Sequence, residues 1–110
     1  MQKILINSNY LIDFLRGKEY TKEIIDKVKT NKIDAIISII TLFELYVGAK
    51  LSNKKGSLED VELLIQWFKI IPLNENIALI ASNIFIDLRK NGKIIDIKDI
   101  FIAATAVSEN

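Results

Sequence analysis

Apolar residues follow two patterns along this chain, short continuous runs and longer stretches with helical spacing. The short runs are typical of strands that are buried on both faces of a sheet. They cover residues 3–6, 35–39 and 70–73, and Pro72 in the third favours an edge or an end of a strand. The other stretches place apolar residues every three or four positions, as on one face of a helix. Strands and helices therefore alternate along the sequence.

The stretches with helical spacing predict six helices, several of which have a recognisable start or stop. They lie at about residues 8–15, 21–32, 41–51, 57–68, 74–91 and 98–108. Gly17 and Gly92 follow the first and fifth of them at the position where glycine commonly ends a helix. Asn74 or Asn76 is the predicted cap of the fifth helix. This order predicts an α/β fold built around a small parallel sheet.

Length and composition indicate a single domain covering residues 1–110. Half of the 110 residues are hydrophobic, which is enough for one core. The first residues lead into a strand without an apolar leader, and no apolar run approaches the roughly 20 residues that span a bilayer. We therefore expect a cytoplasmic protein without a membrane segment. Absence of Cys fits a reducing compartment, and absence of both His and Cys excludes zinc sites and Cys–His catalysis.

The charge balance leaves the class of binding partner open. The formal net charge is only +1, and most of the basic residues are lysines. Two local basic clusters could contact phosphates, although the same residues also fit ordinary solvated helix ends. The clusters are Lys50, Lys54 and Lys55, and Arg89, Lys90 and Lys93.

Three polar residues occupy matching positions next to predicted strand ends or helix starts. Asn7 follows the first strand, and Glu44 and Asp99 lie at the starts of later helices. In parallel α/β sheets, strand ends and helix N-termini converge on one side of the sheet, where sites form. Oxygen ligands of this kind suit Mg²⁺ or Mn²⁺. No glycine-rich phosphate loop follows the first strand, which argues against a nucleotide-binding loop.

Each of these residues also has a purely structural interpretation. Thr41 is the predicted cap of the third helix, with Glu44 reaching back to it in a capping box. Asp96 is the predicted cap of the last helix, and a carboxylate at Asp99 in its first turn gains ~0.3–1 kcal/mol from the helix dipole. Asn7 fits a simple cap as well. Asp13 is expected to be a surface or capping acid and not a metal ligand.

Three segments of the chain resemble the motifs of PIN-domain ribonucleases, in the family's order. Residues 6–15 resemble the first motif, and residues 38–49 resemble the second, which contains the Glu and the following Gly. Residues 88–92, leading to residues 99–106, resemble the third. The subgroup that the chain resembles is that of the VapC toxins, the nuclease half of toxin–antitoxin pairs. The resemblance covers the whole chain, and the three motifs together are specific.

The resemblance implies a three-layer PIN-like domain, with a small parallel sheet flanked by helices, and a metal-dependent endoribonuclease that cleaves RNA. It implies Mg²⁺ or Mn²⁺ as cofactor, a homodimer, and a VapB-like antitoxin whose tail lies in a groove near the first helices. By position, the metal-site and catalytic residues are Asn7, Glu44 and Asp99, with support from Ser8, Asn9, Thr41 and Asp96.

The chain departs from the family pattern in two places. The family has an aspartate where this chain has Asn7, whose amide brings no charge to a metal. Family members usually continue beyond the position of Asn110 with another strand and a fourth acid. We therefore expect a C-terminally truncated nuclease that is weakened or inactive. The alternatives are a PIN-fold interaction module without catalysis and, more remotely, a phospho-acceptor receiver, which would need paired acids after the first strand.

Overall fold

A computed structural model describes residues 3–110, in which three strands form one parallel sheet. The strands are β1 (Lys3–Leu5), β2 (Asp34–Ser38) and β3 (Lys69–Ile71), in the order β1-β2-β3. β1 pairs with β2 in parallel, with Ile4 opposite Ala35. The third strand ends before Pro72, which has no amide hydrogen to extend the ladder. The predicted parallel sheet is thus confirmed, although β1 and β3 are slightly shorter than predicted and β2 begins and ends one residue earlier.

All six predicted helices are present, and two of them follow each strand, which confirms the α/β class. A single 3₁₀ turn at Glu19–Thr21 precedes α2. Within residues 3–110, none of the helices has the length and apolarity that a membrane span requires. The helices are α1 (Ser8–Leu15), α2 (Lys22–Lys29), α3 (Ile39–Leu51), α4 (Ser57–Ile65), α5 (Glu75–Lys90) and α6 (Ile97–Ser108).

The second helix ends three residues earlier than its apolar pattern predicted. The hydroxyl of Thr30 donates a hydrogen bond to the carbonyl oxygen of Asp26 at 2.9 Å. Asn31 then adopts φ of 60°, the left-handed conformation that asparagine tolerates better than most residues. These local contacts end α2 at Lys29, although the chain stays compact to Lys32 through a bond from the Lys32 amide to the Lys27 carbonyl.

The described chain forms two compact units that divide after Ile70. In the first unit, one continuous core joins residues of the first strands with residues of α1 to α4. Its central side chains, Leu11, Ile25 and Ile37, have no solvent exposure. The other core residues are Ile6, Val28, Ala35, Leu42, Leu45, Val61, Leu64 and Phe68.

The second unit, Ile71–Asn110, is a pair of packed helices, α5 and α6. The side-chain oxygen of Asn74 accepts a hydrogen bond from the amide of Ile77 at 2.9 Å, so Asn74 and not Asn76 caps α5. Gly92 follows α5 with φ of +70°, which confirms its role as the stop. Ile77 of α5 and Ala104 of α6 are fully buried.

Candidate functional site

Asn7 lies at the end of the first strand segment and caps α1. Its Oδ1 accepts a hydrogen bond from the backbone amide of Tyr10 at 3.0 Å, and its backbone is extended. The cap thus uses the side-chain oxygen, and the remaining polar atom, Nδ2, is a pure hydrogen-bond donor. An amide nitrogen of this kind does not ligate Mg²⁺ or Mn²⁺, which take oxygen ligands. Asn7 therefore has no second side-chain oxygen to offer a cation, whereas an aspartate would have an oxygen in place of Nδ2.

Ser8 and Glu44 are in direct contact. The Ser8 hydroxyl donates a hydrogen bond to Oε1 of Glu44 at 3.0 Å, and this bond joins residues 36 positions apart. Ser8 is buried, Glu44 is half-buried, and Asn9 is exposed. The structure thus brings two of the predicted site residues together, and it attaches the start of α1 to the first turns of α3.

The predicted capping box at Thr41 and Glu44 is wrong. Ser38 caps α3, because its Oγ accepts a hydrogen bond from the amide of Ile40 at 3.1 Å and the helix already begins at Ile39. Thr41 lies inside the first turn, is fully buried, and has an Oγ1 without a hydrogen-bond partner among residues 3–110. The sequence signal for the correct cap was Ser38 itself, which ends a buried strand and precedes the first helical residues.

In the second unit, Asp96 caps α6 as predicted. Its Oδ1 accepts a hydrogen bond from the amide of Lys98 at 2.9 Å, and its Oδ2 lies 3.9 Å from the ammonium of Lys98. Asp99 follows in the first turn and is exposed to solvent. The carboxylate of Asp99 is therefore accessible, and the capping of α6 does not depend on it.

Asp13 is held by a tyrosine, a contact that sequence reasoning missed. The Tyr20 hydroxyl donates a hydrogen bond to Asp13 Oδ2, and this bond is the main reason why the pKa of Tyr20 is raised. Tyr10 packs edge-on against Tyr20, with 5.6 Å between ring centroids. The pKa of Tyr10 is also raised, first by loss of hydration and then by the charge of Glu23. Asp13 thus has a hydrogen-bond partner within the protein.

The Glu44 carboxylate supplies oxygen ligands of the kind that a hard cation takes. No described lysine or arginine forms an ion pair with Glu44. A carboxylate has about four lone-pair positions, and the Ser8 hydroxyl takes one of them. Within residues 3–110, no three His, Cys, Asp or Glu side chains come together as a metal site. Of the three predicted ligands, only Glu44 and Asp99 are acids, because position 7 is an asparagine.

The first unit also carries a cleft between α1, α3 and α4. It has a volume of about 200 Å³, below the roughly 300–1,000 Å³ of sites for drug-sized ligands, so it suits a side chain. Arg16, Lys54 and Asp60 stand among its lining residues, and the Lys54 ammonium lies 4.0 Å from Asp60. The apolar and small residues of the lining are Ile12, Leu15, Leu45, Gly48, Ala49 and Val61.

A second groove adjoins this cleft, and Leu15 and Asp60 line both. It passes Lys29, whose ammonium lies 5.3 Å from the centre of the Phe14 ring, and reaches the exposed Trp67. We call the two together the α1–α4 groove. Its position was not predictable from sequence patterns, and only the resemblance implied a groove near the first helices.

Comparison with known proteins gives a consistent result. The model of the family described as PIN domain matches residues 4–110. A VapC ribonuclease of Pyrococcus furiosus is 36% identical over 76 residues, which are 69% of this chain and 50% of that protein. The chain thus spans about half the length of this relative. Ribonuclease VapC1 of Methanocaldococcus jannaschii is 31% identical over 108 residues, 98% of this chain and 71% of that protein.

Solved structures resemble the chain along its whole length. A DNA-bound VapBC from Salmonella typhimurium matches with a TM-score of 0.86 at 27% identity, over 99% of this chain and 82% of that one. VapBC-1 from nontypeable Haemophilus influenzae matches with a TM-score of 0.80 at 28% identity, over 100% of this chain and 82% of that one. A VapBC2 from Rickettsia felis, at 23% identity and a TM-score of 0.86, supports the fold alone.

Proposed function

This chain belongs to the PIN-domain family, and from that premise we propose that it is the toxin of a toxin–antitoxin pair. In this proposal it is a metal-dependent endoribonuclease whose rate of RNA cleavage is lowered or abolished by Asn7. Relatives that are named VapC ribonucleases support the activity. The observation that carries the proposal is the carboxylate of Glu44, which Ser8 holds and no described cation neutralises. We propose that the two units form a single domain, since the family match spans both.

In this proposal, Glu44, Asp99 and the residue at position 7 hold Mg²⁺ or Mn²⁺. When bound, such an ion lowers the pKa of a water molecule and stabilises the charge that builds on an RNA phosphate. The chain supplies the oxygen ligands for it, with Ser8 orienting one of them. The exposed Asn9 lies in α1 close to position 7, and the fully buried Thr41 lies in α3 one turn before Glu44. Asp96 caps the helix that contains Asp99.

Asn7 weakens the proposed site in two ways. It removes one negative charge from a small set of anionic ligands, and its oxygen is already engaged by the amide of Tyr10. In an aspartate, one oxygen could continue to cap α1 while the other faced the ion. The family aspartate would thus serve the fold and the chemistry at once, and Asn7 preserves only the first of these roles.

Cleavage of RNA in the presence of Mn²⁺ tests the proposal. The chain with Asn7 should cleave weakly or not at all, and Asn7→Asp should cleave at a clearly higher rate. The gain should disappear in Asn7→Asp combined with Glu44→Gln or with Asp99→Asn. Strong Mn²⁺-dependent cleavage by the unchanged chain would contradict the proposed role of Asn7. An inert Asn7→Asp variant that is folded would contradict the nuclease assignment for this chain.

We also propose partners for the chain. The α1–α4 groove is the site proposed for an antitoxin segment, since its apolar lining and its Arg16 suit an apolar side chain next to a carboxylate. RNA phosphates are proposed to meet Arg89, Lys90 and Lys93, which carry no ion pair among residues 3–110. The cytoplasm is the proposed location, because both RNA and a newly made antitoxin are found there.

A homodimer is proposed from a stripe of exposed apolar residues on α3. Phe43, Val47 and Leu51 follow one another at intervals of four residues and are 56%, 39% and 78% exposed. This spacing places them on the same side of the helix. Such a stripe supports self-association, because aligned apolar residues on a surface helix gain from being covered.

The second candidate function is an interaction module without catalysis. Two observations favour it. The α1–α4 groove is available to a partner, and the amide at position 7 lacks the charge that the proposed metal site needs. Calorimetry with Mn²⁺ distinguishes the two candidates. Binding that is lost in both Glu44→Ala and Asp99→Ala supports the nuclease site, whereas absence of binding by both the unchanged chain and Asn7→Asp supports the module.

A further inference from the structure

The hydrogen bond between Ser8 and Glu44 is the only described contact that fixes the direction of the Glu44 carboxylate. It measures 3.0 Å from hydroxyl to Oε1. Ser8 is only 9% exposed, so water has little access to the hydroxyl that would compete for it. The bond therefore acts on one chosen oxygen of the carboxylate and leaves the other, Oε2, without a hydrogen-bond donor among the described side chains.

Among the described residues, Glu44 neither caps a helix nor forms an ion pair. The cap of α3 is provided by Ser38, so the carboxylate is not needed to satisfy the first amides of the helix. No described cation pairs with it. Without Ser8, the flexible Glu44 side chain would populate several rotamers, and a ligand that binds it would have to offset the loss of that freedom.

We infer that Ser8 is a positioning residue, which holds the Glu44 carboxylate in one orientation and thereby raises its affinity for a divalent cation. This inference rests on the proposed metal site. Hydrogen-bonded partners of metal-ligating carboxylates contribute about 10- to 100-fold to metal affinity. Ser8 also follows position 7 directly and begins α1. The first turn of α1 therefore contacts both the side chain at position 7, which caps it, and Glu44, which accepts the hydrogen bond from Ser8.

Metal binding is tested in the Asn7→Asp background, where the proposed site has its full charge. The dissociation constant for Mn²⁺ is measured by calorimetry, with Asn7→Asp as the parent for Ser8→Ala and Ser8→Thr. We expect Ser8→Ala to weaken binding by about 10- to 100-fold. Ser8→Thr retains the hydroxyl and should recover most of the affinity. Thermal unfolding of each variant verifies that it is folded.

The matched control is Thr21→Val in the same background. Thr21 is fully buried in the same unit, and its hydroxyl donates to the backbone carbonyl of Lys18 at 2.6 Å and to no acid. Its loss should leave the affinity for Mn²⁺ unchanged. An equal loss of affinity in Thr21→Val and Ser8→Ala would overturn the inference, because any buried hydroxyl would then have the same effect.

A second measurement needs no metal. Three-bond couplings about χ1 of Glu44, measured by NMR in the metal-free protein, should report one rotamer with Ser8 and an average over rotamers in Ser8→Ala. Unchanged couplings together with unchanged affinity overturn the inference while the proposed function stands. If Asn7→Asp binds no Mn²⁺, the proposed function fails, and the role of Ser8 toward a cation is overturned with it even where the couplings change.

Discussion

The side-chain oxygen of Asn7 accepts a hydrogen bond from the backbone amide of Tyr10 at 3.0 Å, so this residue has a structural role that does not depend on catalysis. Asn and Asp are about equally good caps, whereas Ala is poor. Asn7→Asp should therefore keep the free energy of unfolding nearly unchanged, while Asn7→Ala should lower it by ~0.5–2 kcal/mol. Urea unfolding of the three chains measures this. A large loss in Asn7→Asp would show that an extra charge at position 7 is not tolerated without a cation.

Ser38 and Thr41 should respond in opposite ways to removal of their hydroxyls. Ser38→Ala removes the cap of α3 and should cost ~0.5–2 kcal/mol in unfolding free energy. Thr41→Val should be neutral or stabilising, because a buried unpaired hydroxyl costs roughly 1–3 kcal/mol and valine has the same shape. Equilibrium unfolding distinguishes the two. If Thr41→Val were the more damaging change, Thr41 would have a partner that the described contacts do not contain.

Replacing Gly48 by alanine should stabilise the fold but weaken the binding of a partner in the α1–α4 groove. It lies inside α3 and lines the α1–α4 groove, and a Cβ at this position would meet no atom within 4 Å. Gly48→Ala should therefore raise the unfolding free energy by ~0.5–1 kcal/mol, since glycine is unfavourable within a helix. The same change should weaken binding of an antitoxin encoded by the neighbouring gene, because the methyl group narrows the groove.

The control for this change is Gly92→Ala. Gly92 has φ of +70°, so a side chain is strained there and the variant should be less stable. Calorimetric binding and thermal unfolding are measured on both variants. Unchanged antitoxin affinity in Gly48→Ala would exclude this part of the groove as the binding site.

Leu51→Glu should shift the proposed dimer toward monomer. Leu51 is 78% exposed at the end of the apolar stripe on α3, and a carboxylate there would lose hydration in any interface that covers it. Leu63→Glu is the matched control, because Leu63 is 62% exposed but lies on α4. Sedimentation velocity over a range of protein concentrations gives the masses. An equal effect of both variants would place the dimer contact elsewhere.

The two units should unfold in one transition if they form a single domain. Trp67 is the only tryptophan and lies in the first unit, whereas far-UV circular dichroism also reports α5 and α6 of the second. Thermal unfolding followed by both signals should give coincident curves. A tryptophan transition that is separate from the helical one would show two independent domains.

Local chemistry was enough to predict much of the fold. Alternation of apolar runs and helical stretches gave the order of elements. Asp96 was a predictable cap because it precedes a helical pattern, whereas the sequence left the cap of α5 open between Asn74 and Asn76. At α3 two hydroxyl residues stood three positions apart. The sequence pattern favoured Thr41, since Glu44 completed a capping box, whereas the extended backbone at the end of β2 makes Ser38 the cap.

The candidate site was harder to predict, because its contacts join distant parts of the chain. The bond from Ser8 to Glu44 depends on how α1 and α3 pack, and no spacing rule links positions 36 residues apart. The contact between Tyr20 and Asp13 is more local, but it depends on the turn between α1 and α2, which the apolar pattern does not specify. Sequence patterns identified Asn7, Glu44 and Asp99 as polar residues in suitable places, and their joint role as metal ligands stays a prediction.

Ser38 caps α3 without help from the acid one turn further on, so the chemistry of Glu44 and the integrity of its helix are separable. A substitution at Glu44 removes a charge and leaves the cap of α3 and the lining of the α1–α4 groove as they are. If Glu44 holds a metal as proposed, a duplicated gene that lost this acid would still encode the groove proposed for the antitoxin. One substitution would then separate the proposed catalysis from the proposed binding of a partner.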